Sequence, residues 1–360
     1  MRTKSEKLQF LIIFTLLTLV LSGCQKEFSN RPVPTRTQVK TLTPTPQVTA
    51  TPTVTPYPTS TPTPEPLGSP ANPIIIAFIQ SETNAGAEDA KNQLVQQLNS
   101  DTGLSFGFRD YMSYEELKGA LLTRQVHMAW LLPTQYILAS KNYQFEARLV
   151  TYHFGVKAYG IQILTNVDSA FTSYFDPTTN RSTANLNTAL AQFSGTRPCF
   201  VQPKSLAGNI IPQGLFIQAS VPLEKPVITY STSSNIRALY IKGICDFTAT
   251  YAISGDPRTA TDLTSEFPDI EEKVEIIWRS DPIIPNLVLA YTAELDLNKS
   301  TLIDESLMTL ARTENGQAIL SNANNYQIEA LDQIKDSEFD YLRYIILIQD
   351  IDLERLENAE

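Results

Sequence analysis

The side chains of this 360-residue chain best suited to chemistry are three cysteines, two histidines and fifteen tyrosines, and their spacing decides what they can do. His127 lies inside an apolar run and reads as a core residue, while His153 stands alone. Neither has a second histidine or a cysteine at metal-ligand spacing, so no metal site is expected. The acidic pairs Glu115-Glu116 and Glu271-Glu272 are adjacent in sequence and do not face one another across a site. There is no Gly-x-Ser-x-Gly elbow and no nucleotide-type phosphate loop, and Cys199 and Cys245 lack an activating neighbour. The residues therefore predict no catalytic constellation and no cofactor, and they point away from an enzyme. What remains are polar residues at helix starts. Ser113 and Glu116 form a capping box, Thr134 can cap a helix from Gln135, and Ser205 reads as a helix cap.

Residues 1–23 read as a secretory leader, with Arg2, Lys4 and Lys7 before an apolar core at 8–21 that is too short for a mature membrane-spanning helix. The leader ends in Leu21-Ser22-Gly23-Cys24, which resembles the lipobox of bacterial lipoproteins. That would make Cys24 the lipid-bearing first residue and attach the mature chain to the membrane outside the cytoplasm. The formal charge is -10, near -12 once the leader is gone, and no basic stripe appears, so nucleic acid is not an expected partner. In an oxidising compartment Cys199 and Cys245 form an even pair, and a disulfide between them is expected. From 31 to 70 the chain is almost a Thr-Pro repeat holding 11 of its 23 prolines. Residues 24–71 therefore read as a semi-rigid stalk, of which the stretch 31–70 would reach up to roughly 120 Å fully extended at about 3.1 Å per residue.

The polar residues must be carried by elements, and the stretch SYEELKGALLTRQVHMAWLLPTQYILA at 113–139 sets the pattern. A helix starts at about Tyr114 with Leu117, Ala120 and Leu121 on one face. An apolar run at 126–132, broken only by His127, reads as a strand buried on both faces of a parallel sheet. Pro133 stops it and a new helix follows. Before this stretch come a strand at 74–79, a helix at 87–98 and a strand at 104–108; after it come strands at 148–152 and 160–164, the latter read as the exit from a first lobe. The pattern then recurs as strand 199–202, helix 208–219 with Pro212 in its first turns, strand 227–230, helix 235–241 and strand 247–251. First and third strands of such a sheet are neighbours, which would set Cys199 beside Cys245. A strand at 274–278 and a proline-rich crossing at 281–286 return the chain to the first lobe at 287–291, and a helical tail follows. The expected fold class is α/β, two doubly wound lobes joined by a two-segment hinge, with ligands taken in the cleft. Lobe 1 would comprise 72–164 and 285–360, and lobe 2 would comprise 165–284.

Four stretches in this order carry a family resemblance: 113–139, PKSLAGNIIP at 203–212, KGICDFTATY at 242–251 and VEIIWRSDPIIPN at 274–286. From about 74 to 347 the chain resembles the phosphate- and phosphonate-binding family of ABC-transporter substrate-binding proteins. The resemblance implies the type II periplasmic-binding-protein fold, a monomer that captures a small anionic ligand, and an ABC permease as partner. Free N–H groups and the dipole at helix starts suit such a ligand. The resemblance places Tyr114, Tyr136 and Ser205 at ligand-contacting positions, with Gln135, Tyr159 near the first crossing, and Tyr251 as further contributors. Lys204 could pair with the anion. The chain also departs from the family. Ser205-Leu206-Ala207-Gly208 stands where the family usually has Ser-Thr-Ser before glycine, Leu132 and Gln135 replace a glycine and a serine, and Ala252 replaces a frequent acidic residue. The expected ligand is thus a phosphate, phosphite or phosphonate-like oxyanion rather than an aminophosphonate. The alternative expectation is a sensory or adaptor lipoprotein that keeps the fold and has lost that ligand.

Overall fold

Side chains that alternate with period two along a strand must be buried on two different faces, and that alternation sorts the first half of this protein into layers. A computed structural model describes residues 65–80 and 85–358. The leader, Cys24 and residues 24–64 of the expected stalk lie outside the described residues. In chain order the strands are β1 (Ile74–Ile79), β2 (Phe106–Tyr111), β3 (Met128–Leu131), β4 (Phe145–Tyr152), β5 (Ala158–Asn166), β6 (Phe175–Asp176), β7 (Arg181–Ser182), β8 (Pro198–Phe200), β9 (Val227–Ile228), β10 (Phe247–Ala252), β11 (Val274–Arg279), β12 (Ile284–Pro285), β13 (Val288–Thr292) and β14 (Ala330–Gln333). One sheet has the order β14-β4-β13-β3-β1-β2 and a second the order β11-β5-β10-β8-β9, with β12 added alongside β5.

In the first sheet β1 lies parallel to β2 and β3. Ile74, Ile76 and Phe78 of β1 pack with Ala90, Leu94 and Leu98 of the helix Ala85–Thr102 on one face, and Ala77 packs with Leu117 and Leu121 on the other. All four residues of β3 are buried, which is why this strand reads as a continuous apolar run. His127 is not in the strand but just before it; it is buried, and its Nδ1 accepts the Ile75 N–H at 3.0 Å. Trp130 and Trp278 are core residues, 3% and 6% exposed.

In the second sheet β8 lies parallel to β9 and β10. Thr248 of β10 sits opposite Cys199 of β8, and Cys199 is disulfide-bonded to Cys245 with the Cα atoms 5.6 Å apart. β5 runs antiparallel to both β10 and β11. The expected lobe boundary after residue 164 is therefore too late. β5 pairs with β10 along 160–165 and belongs wholly to the second sheet, so the crossings fall between β4 and β5 and between β12 and β13. Asn286 ties the two crossings together: its side-chain amide donates to Thr151 O at 3.2 Å and Val156 O at 2.6 Å, and its backbone N–H donates to Lys157 O at 3.0 Å. Gly160 is required here, because a Cβ would lie 2.7 Å from Ser280 Oγ and 2.8 Å from Asp281 O.

The tail also departs from the expected assignment of 285–360 to the first lobe. β14 adds an edge strand beside β4. The helix Asp340–Leu347 then packs on the helix Ile211–Gln218 of the second lobe, and the helix Leu353–Asn358 turns back to the first. No helix among the described residues is long and apolar enough to cross a membrane.

Candidate functional site

Three helix starts carry the polar residues singled out above, and each is built by its local sequence. The helix Tyr114–Leu122 is capped by Ser113, whose Oγ accepts the Glu116 N–H at 3.2 Å. Glu116 Oε2 in turn accepts from Met112 N–H at 2.7 Å, one residue before the cap. The helix Pro133–Tyr143 starts two residues earlier than expected, because proline fits the first helical position, where its missing N–H is no loss. Leu132, not Thr134, is therefore the cap residue, and Gln135 Oε1 closes the turn by accepting the Leu132 N–H at 3.0 Å.

The third start is unusual. Ser205 caps a π-helical turn, Leu206–Ile210, before the regular helix Ile211–Gln218. Pro212 explains the wide turn: it has no N–H to donate and its ring clashes with the carbonyl four residues back in a regular helix. The Gly208 carbonyl accepts from Val201 N–H at 2.9 Å instead. Ser205 Oγ accepts the Gly208 N–H at 3.1 Å, and a Cβ on Gly208 would lie 2.7 Å from Val201 Cγ2. Single-turn π segments of this kind recur at functional sites.

Two of these starts meet on one residue that sequence reasoning missed. Thr134 Oγ1, released from capping, donates to Glu357 Oε1 at 2.5 Å, and Lys204 Nζ from the second lobe donates to the Glu357 carbonyl at 3.1 Å. Tyr114 borders this point: it is 4% exposed and its hydroxyl has no hydrogen-bond partner among the described residues. Burial, reinforced by Tyr143, Glu357, Glu354 and Glu115, pushes that hydroxyl far above the usual phenol range, so it stays protonated and available as a donor.

The remaining expected contacts are not brought here. Tyr136 is fully buried, with its ring 4.4 Å from that of Phe339. Its hydroxyl donates to Asp336 Oδ1 at 2.6 Å and accepts the Ala147 N–H at 3.2 Å. Burial and the Asp336 bond push it up to about 12. The expected ligand contact by Tyr136 is thus replaced by an internal one that fastens the tail to the first lobe. Tyr159 opens β5 opposite Ile284, with burial and then Tyr326 raising its hydroxyl. Tyr251 lies in β10, raised by burial and then by Asp256. Of the six, Tyr114 borders the convergence, and Gln135 and Ser205 are the chain neighbours of Thr134 and Lys204 that form it. A groove of about 1280 Å³ runs along the helix Pro133–Tyr143 and the tail, lined by Tyr136, Arg148, Asp336, Arg343 and Glu354 among others, and none of those three residues lines it. Among the described residues no group of three or more His, Cys, Asp or Glu is placed to hold a metal ion.

The family model described as "ABC transporter, phosphonate, periplasmic substrate-binding protein" matches residues 76–339. No curated protein matches the sequence. Among solved structures, a Xanthomonas citri protein bound to chloride ion is 12% identical, covering 77% of this chain and 98% of that one, with a TM-score of 0.54. A binding protein component of an ABC phosphonate transporter from Pseudomonas aeruginosa is 17% identical over 82% of this chain and 90% of its own, with a TM-score of 0.45. PhnD1 of Prochlorococcus marinus, in complex with methylphosphonate, is 12% identical over 77% and 98%, with a TM-score of 0.48.

Proposed function

The chain belongs to the phosphonate-type periplasmic substrate-binding proteins of ABC transporters and has their type II two-lobed fold, and from that footing we propose that it captures a small oxyanion between its lobes and hands it to a membrane permease. The ligand class is phosphate, phosphite or a phosphonate-like species. The observation that carries this is the convergence at Glu357. A hydroxyl from the first turn of one lobe's helix donates to the Glu357 carboxylate. An ammonium from the other lobe's loop donates to the backbone carbonyl of the same residue, which brings one hydroxyl donor and one cation together at this point. Tyr114 and Ser205 flank it. The overall negative charge does not oppose this, since local donors decide affinity for a small anion.

Isothermal titration of the mature chain, with Cys24→Ser to keep it in solution, tests the ligand class. Heat on adding methylphosphonate, phosphite or phosphate is expected, and no heat with any of them removes the ligand assignment while leaving the fold untouched. The protein is proposed to act as a monomer held to the outer face of the membrane by a lipid on Cys24. Mass spectrometry of the membrane-bound protein should find the added acyl mass on the peptide beginning at Cys24; its absence excludes the anchor.

A second reading is favoured by the chain's own chemistry at the third helix start. Leu206 and Ala207 offer no hydroxyl, and an internal carboxylate already stands at the convergence. A sensory or adaptor lipoprotein would keep this fold and dispense with a transported ligand. Copurification with a permease supports transport, whereas copurification with a signalling membrane protein supports sensing.

A further inference from the structure

The chain does not stop where its last strand pairs. After β14 it touches both lobes in turn. Asp336 accepts from Tyr136 and from Arg343, which lies further along the tail and also reaches Ser140 Oγ at 3.3 Å, on the first-lobe side. Tyr341 Oη donates to Gln218 Oε1 at 2.8 Å and Gln349 Nε2 donates to Ile210 O at 3.0 Å, both on the second lobe. The helix Leu353–Asn358 then returns to the first lobe, with Leu353 buried and Asn142 Nδ2 donating to Glu354 Oε1 at 2.9 Å. In its last turn the Glu357 carboxylate receives the Thr134 hydroxyl and the Glu357 backbone carbonyl receives Lys204 from the second lobe.

Two complementarities coincide at that end. The helix Leu353–Asn358 packs against the helices Tyr114–Leu122 and Pro133–Tyr143, and its Glu357 carboxylate receives a hydroxyl from the first turn of the second, where negative charge is favoured. Lys204 adds a cation from the opposite lobe, bonded to the backbone carbonyl of Glu357 rather than to its carboxylate. The Tyr114 hydroxyl is buried beside Glu354 and Glu357 without a bond of its own among the described residues, which leaves one donor at this place unspent.

We infer that the last helix is an internal competitor for the oxyanion: Glu357 holds the place of the solute, and solute enters as Leu353–Asn358 leaves. The identity of the displaced solute rests on the oxyanion reading above, whereas the docking of the helix does not. A site open for only a fraction of the time binds with an affinity reduced by that fraction. Release of the helix should therefore tighten binding.

The test uses the mature chain carrying Cys24→Ser, the same chain with Glu357→Lys, and a chain ending at Asp352. Hydrogen exchange of the peptide spanning 353–358 reads docking without any ligand, and titration with methylphosphonate and inorganic phosphate reads occupancy. In the intact chain these amides should be protected, and Glu357→Lys should speed their exchange. Both altered chains should then bind methylphosphonate at least about tenfold more tightly than the intact one. Exchange in the intact chain as fast as in a free peptide overturns the inference, as do equal affinities in all three proteins. Protected amides that Glu357→Lys releases, with no oxyanion bound by any of the three, uphold the docking and remove the oxyanion reading instead. Should the shortened chain fail to fold, the Glu357→Lys comparison decides alone.

Discussion

Tyr136 shows how far a residue's position in a family and its job in one chain can part. Its ring is completely buried and its hydroxyl is used twice, once as donor to Asp336 and once as acceptor for Ala147. Replacing it with phenylalanine keeps the packing but leaves the buried Ala147 N–H without its acceptor, which typically costs about 1–3 kcal/mol, while the exposed Asp336 keeps Arg343. Tyr136→Phe is expected to lower the unfolding midpoint in urea without changing the heat of anion titration. A loss of affinity at unchanged stability would restore Tyr136 to the ligand site. The same bond has a pH signature. Burial pushes the Asp336 carboxyl up, but Arg343 and Tyr136 outweigh burial and hold it below its ordinary value of 3.8. A carboxylate depressed by folding stabilises above its unfolded value and stops doing so as pH falls through its folded one. The melting-temperature difference between wild type and Asp336→Asn should therefore be full at neutral pH and fade in acid, below pH 3.8. A difference that persists unchanged in acid would rule out the ionised form as its source.

At the scale of elements, the contact between the helices Ile211–Gln218 and Asp340–Leu347 is closest at Gly214. A Cβ there would lie 2.5 Å from Ile345 Cγ2 and 2.7 Å from Gln349 Nε2. Gln349 can swing aside, but Ile345 is β-branched and stiff at that torsion. Gly214→Ala should raise intrinsic helix propensity by about 1 kcal/mol and still lower the melting temperature, because the tail helix must back away. Hydrogen exchange should accelerate over 340–349 and not in the first sheet; a rise in melting temperature would show that the gap absorbs the methyl group. Much of this scale was legible in the residues. Six consecutive apolar or small residues give β1 its bounds, Ser113 and Glu116 mark a helix start, and the repeated strand-helix rhythm yields two lobes. The misses have local causes. β14 is Ala-Leu-Asp-Gln, a half-buried edge strand too short and polar to show a period. The expected strand 160–164 falls short of β5 because its bounds depend on pairing with β10, which its own residues do not announce. The π turn at Leu206–Ile210 reads as regular helix in the sequence because only Pro212 hints at it. Glu357 left no signal at all, since its partner Thr134 lies 223 positions away.

Across the whole molecule the two lobes are joined not by two strands alone but by a third link, the tail. A two-stranded hinge opens freely and closes on ligand, and such proteins become more compact when solute binds. Here opening must also separate Tyr341 from Gln218 and Gln349 from Ile210, and draw Lys204 away from Glu357. Each bond is worth only about 0.5–1.5 kcal/mol net, but they act together with the packing of Ile345 over Gly214, so they bias the resting population towards closure. The protein without solute should accordingly scatter X-rays as a closed particle, and saturating methylphosphonate should scarcely change its radius of gyration. In the double variant Tyr341→Phe with Gln349→Ala two of the three second-lobe bonds are gone, while Lys204 to Glu357, both crossings and Asn286 remain. That variant should have a larger radius of gyration without solute and contract on binding, with little change in far-ultraviolet circular dichroism. An intact protein that already contracts as much as the variant would mean that the tail rides passively on one lobe, and that the hinge between β4 and β5 and between β12 and β13 governs opening by itself.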